Sequence, residues 1–112
     1  RQMCIRDSDY PVEPLDPLPN LACAVSRRSP REPGLPPTFE PGQAVTLAEA
    51  LEAYTSGAAR ACHREAWLGQ LAHGFAADVA VFSADLFELP PSDWPALRCD
   101  LTVVDGQVVW EA

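Results

Sequence analysis

Nine of the 12 prolines fall between Pro11 and Pro41, and that clustering decides where a fold can come from. Each proline lacks an amide hydrogen and pushes its predecessor out of helical geometry, so this stretch can supply few hydrogen-bonded elements. Most of the core must then come from Val45 onward, a length at which a single hydrophobic core becomes marginal. At 112 residues the chain reads as one small domain or a piece of a larger one. So thin a core favours the piece.

Charge and thiols narrow the function classes. The net charge is −8, lysine is absent, and five of the eight arginines are Arg1, Arg6, Arg27, Arg28 and Arg31. No basic stripe is left to neutralise a phosphate backbone, so nucleic acid is not an expected partner. No apolar run approaches the roughly 18 residues of a membrane span. Cys4, Cys23, Cys62 and Cys99 are widely spaced with no CxxC pair, which reads as reduced thiols in a cytoplasmic protein.

Along the chain, LPNLACAVS places Leu18, Leu21, Ala22 and Val25 at i, i+3, i+4 and i+7 and predicts a short helix, with Pro17 and Pro19 suited to its start. A polar, Pro/Gly-rich loop follows over 27–45. TLAEALEAYTSGAARACHRE is the clearest helical text. Thr46 and Glu49 make a capping box, and Leu47, Ala50, Leu51 and Tyr54 form one stripe. Thr55–Ser56–Gly57 interrupts the stripe, so the expectation is a kinked helix pair over 46–64, with Thr55 or Ser56 capping the second helix. After Trp67 the period becomes two. AWLGQLAHG predicts a short strand and turn, and DVAVFSAD a strand burying Val79 and Val81. CDLTVVDGQVVWEA predicts a hairpin over 99–111, turning on Asp105–Gly106.

Few residues offer chemistry. Asp9, before Tyr10–Pro11, is either a metal ligand or general base, or else an Asx-turn or capping residue; residue chemistry alone favours the turn. His63 and His73, with Cys62 or Cys99, match no zinc spacing, and His63 suits a helix C-terminus. A zinc-binding module built on those four residues is therefore a minor alternative. Thr55 and Ser56 lack an evident base and read as caps. Asp78 reads as ordering its own GFAAD turn, Glu13 and Asp16 as solvated loop charges, and Trp67, Trp94 and Trp110 as packing residues.

Four blocks in this order, SDYPVEPLDPL, LAEALEAYTSGAARA, GQLAHGFAADVAVFSADLF and LTVVDGQVVWE, resemble the C-terminal part of the amidohydrolase superfamily, in its family 3, YtcJ-like branch. The resemblance runs from about Ser8 to Glu111. It implies an α/β chain that is the C-terminal piece of a (β/α)8 TIM-barrel metal-dependent hydrolase. Residues 9–64 would hold the end of strand eight and the closing helices, and 65–112 the short strands of an accessory β-sandwich domain. It also implies that Asp9 is the strand-eight aspartate, at the metal and acting as general base before passing a proton to the leaving nitrogen. That is consistent with barrel enzymes carrying catalysis at the C-terminal ends of strands. Val12, Glu13 and Leu15 would border the substrate pocket. Phe75 departs from the lysine the family usually has after the second glycine of its block.

The family's His-x-His pair, its bridging lysine or acidic residue and its later histidines have no counterpart here. Most of the barrel is expected upstream of Arg1. The place of an apolar strand eight is held by RQMCIRDS, which CGT-CAG-ATG-TGT-ATA-AGA-GAC-AG encodes up to two bases of the Ser8 codon. That string is the end of a transposase-based sequencing adapter, so residues 1–8 are expected to be adapter-derived; the alternative is a divergent strand eight, for which Met3, Cys4 and Ile5 between Gln2 and Arg6 are a poor match.

The resemblance therefore implies a parent that hydrolyses C–N bonds other than peptide bonds, in a small amide, formamide or cyclic amide, with a divalent metal, zinc by expectation. The 112-residue chain alone is expected to be inactive and to hold no metal tightly, since one carboxylate cannot retain zinc. The competing class is a self-contained α+β binding or interaction module with no catalysis.

Overall fold

The structure, a computed structural model, describes residues 11, 12, 14–29 and 40–112. Three helices, α1 (Pro17–Ser26), α2 (Leu47–Tyr54) and α3 (Ser56–Ala61), precede three strands, β1 (Val79–Phe82), β2 (Cys99–Val104) and β3 (Gln107–Glu111). Short 3-10 turns lie at Pro41–Gln43 and Trp94–Ala96. These elements fall into two compact units, one taking in Asp85–Leu97 and the described residues up to Leu51, the other Glu52–Ala84 and Arg98–Ala112.

The first unit is built around α1. Asp16 is its N-cap: the carboxylate Oδ1 accepts the Leu18 N–H at 3.0 Å, while Pro17 occupies a position whose missing N–H costs nothing. Asp16 is exposed, as expected of a solvated loop charge, but it is also a cap, because the helix begins one residue earlier than the apolar period suggests. At the other end Arg27 turns left-handed (φ 56°) and its N–H reaches the Cys23 carbonyl at 2.8 Å. The helix packs on the Trp94–Ala96 turn, and Leu18, Leu21 and Trp94 are each only 2% exposed. The Trp94 indole N–H donates to the Leu89 carbonyl at 3.0 Å, so a large ring is buried with its one polar atom satisfied.

The capping box before α2 forms as expected. The Thr46 N–H donates to Glu49 Oε2 at 2.8 Å and the Glu49 N–H to Thr46 Oγ1 at 3.2 Å. The helical text breaks at Thr55 (φ −113°, ψ −94°), giving the expected pair of helices. Thr55 occupies the cap position of α3, but its side chain makes no capping hydrogen bond there.

The second unit differs more from expectation. AWLGQLAHG is not a strand. Its backbone closes local turns instead, with Trp67 and Leu68 N–H donating to the Arg64 carbonyl and Phe75 N–H to that of Ala72. Gly69 (φ 86°) and Gly74 (φ 88°) hold conformations that an extended ribbon cannot use.

The sheet is antiparallel in the order β1-β2-β3. Asp105 (φ 50°) and Gly106 (φ 76°) both have the positive φ that a type I′ turn requires, so the expected hairpin forms. Cross-strand partners share a face, which assigns Val79, Val103 and Val108 to one face together with Val81 and Leu101. Ala80, Thr102 and Trp110 lie on the other. The register shifts between Val81 and Phe82 and between Thr102 and Val103, leaving Asp100 and Val109 as extra residues. The first shift puts Cys99 on the Thr102 face, and its Sγ lies 3.3 Å from Thr102 Oγ1. Val79 is half-buried and Val81 is 43% exposed, short of the burial expected of both, because part of the valine face stays open.

Candidate functional site

Asp9, the residue on which catalysis was expected, lies outside the described residues, as do residues 1–8, Tyr10, Glu13 and the part of the proline-rich loop at 30–39. The chain that follows it is described from Pro11. Val12 and Leu15 are 68% and 73% exposed, and Asp16 then closes the segment by starting α1. That helix is held by a cap and a core that local sequence encodes.

The second unit carries an open depression of about 540 Å³, whose wall includes Thr55, Cys62, Arg64 and Asp78. Two nucleophile types face it, but no histidine stands on the wall beside them. Its one acid, Asp78, already accepts the Asp105 N–H through Oδ1 at 2.8 Å. The Arg64 guanidinium lies over the Trp67 ring, 5.8 Å from its centroid, a cation–π contact that serves the turn it belongs to. The depression is a product of packing rather than an assembled catalytic constellation.

The histidine and cysteine candidates do not converge. Among the described residues no group of three or more His, Cys, Asp and Glu side chains could hold a metal ion. Cys23, Cys62 and Cys99 are free thiols. His63 instead does backbone work. It sits left-handed (φ 56°) after α3, its N–H donates to the Arg60 carbonyl at 3.1 Å, and the Arg64 N–H reaches back to Ala59 at 2.9 Å. That pair of bonds is a Schellman motif, which satisfies carbonyls the helix end would leave unpaired. No described helix is long and apolar enough to cross a membrane.

Two structural roles were not legible beforehand. Asp78 orders the distant hairpin turn rather than its own, and the Gly106 N–H adds a bond to the Ala77 carbonyl at 3.1 Å beside it. Gly69 packs so closely on the α2–α3 break that a Cβ there would lie 2.8 Å from the Thr55 carbonyl oxygen and 2.9 Å from the Ser56 Cα. The only sequence signal for either was the residue type itself, an Asp before a strand and a Gly in a turn.

A family model described as "Amidohydrolase family" matches residues 3–110. The Bacillus subtilis (strain 168) protein named "Putative amidohydrolase YtcJ" is 36% identical over 109 residues, which are 97% of this chain and 20% of that protein. The chain thus spans about one fifth of that relative's length. No solved structure matches it significantly.

Proposed function

The chain belongs to the amidohydrolase family, and from that membership we propose that it is the C-terminal part of a hydrolase in which Asp9 is the catalytic general base. The observation that carries the reading is a match spanning nearly the whole of this chain yet only 20% of the relative. On this reading the parent is a (β/α)8 barrel that cleaves C–N bonds other than peptide bonds in a small amide, formamide or cyclic amide. The helices over 46–64 close its barrel, and the strands after residue 65 belong to its accessory β-domain. Its location is cytoplasmic, in keeping with the free thiols of Cys23, Cys62 and Cys99.

Members of the family are generally metal-dependent, with zinc the metal proposed here. The described residues do not fit such a centre: they bring no three ligand-type side chains together. The metal ligands other than Asp9 are therefore assigned to the parent's remaining four-fifths, and the 112-residue chain alone is inactive on this reading. What this chain contributes is a carboxylate. Asp9 takes a proton from the attacking water and returns one to the departing nitrogen, a role worth on the order of 100-fold or more in rate.

The test is to express the complete reading frame and assay it, supplied with a divalent metal, against formamides, amides and cyclic amides. Asp9→Asn in that protein should lower kcat by about 100-fold or more while leaving its fold intact. Unchanged turnover in that variant removes Asp9 from the mechanism, and hydrolysis by the 112-residue chain alone overturns the partial-enzyme reading.

A further inference from the structure

We draw no further inference here: the strongest candidate, the half-open apolar sheet face of Val79, Val81, Leu101, Val103 and Val108, carries nothing because nothing in the structure shows what covers it.

Discussion

The carboxylate of Asp78 accepts the backbone N–H of Asp105 at 2.8 Å across 27 residues of sequence, tying the residue before β1 to the turn between β2 and β3. The bond holds a residue that is already left-handed, a conformation an Asp adopts more readily than most residues but still at some cost. Asp78→Ala should therefore loosen the hairpin turn first. The expected loss is about 1 kcal/mol in unfolding free energy, with faster amide exchange at Asp105 and Gly106. Asp78→Asn keeps an acceptor oxygen and should lose less. Unaltered exchange at Asp105 in the alanine variant would show that the bond does not hold the turn.

His63 pays a backbone penalty at the end of α3 that glycine would not. Replacing it with glycine should stabilise the chain by about 1 kcal/mol, since the left-handed conformation disfavours any Cβ. The rise would be read in thermal unfolding. A His63→Val variant, β-branched at the same φ, should move the other way. If His63→Gly lowers the melting temperature, its imidazole matters more than its backbone.

Gly69 and Gly74 separate two effects that usually arrive together. Both have φ near 87°, but a Cβ at Gly69 meets the Thr55 carbonyl while one at Gly74 meets nothing within 4 Å. Gly74→Ala should cost only the conformational penalty, about 1–2 kcal/mol. Gly69→Ala should cost that and the steric clash, so its unfolding midpoint should fall further. Equal losses in the two variants would mean that the α2–α3 break yields without cost.

Trp94 is the largest side chain buried beside α1. Trp94→Ala should cost about 3–5 kcal/mol through the cavity it leaves. Trp94→Phe keeps most of the ring but leaves the Leu89 carbonyl without its indole donor, and should cost nearer 1 kcal/mol. Denaturant unfolding of the two variants checks the order. A phenylalanine variant as damaged as the alanine one would place the energy in the hydrogen bond rather than in the volume.

What could be read in advance was local. Thr46 and Glu49 stand three residues apart, and Asp105–Gly106 are adjacent, so the capping box and the hairpin turn are complete within a few letters. The role of Asp78 depends on a partner 27 residues away, and Gly69 is fixed by the backbone of Thr55 and Ser56, which only tertiary packing brings near. AWLGQLAHG shows why apolar text alone misleads: its apolar letters come in two runs, Ala66–Trp67–Leu68 and Leu71–Ala72, and glycines at positive φ curl the backbone before a ladder can form. Asp9 was legible in neither way. Its chemistry as a lone carboxylate favours a turn, and the catalytic role proposed for it rests on the family the chain belongs to.

The extra residue at Val109 has a consequence for the sheet's sidedness. Strict alternation along β3 would set Trp110 beside Val108, but the bulge pairs Val108 with Val103 and Trp110 with Thr102, neighbours that point opposite ways. Were β3 to pair without the bulge, Val109 would stand opposite Thr102, the Trp110 indole would pass to Leu101 among the valines, and Glu111 would swing to the reverse side. The one extra residue thus decides which way the strand's last side chains face, and deleting it would remove the bulge while leaving Trp110 opposite Thr102.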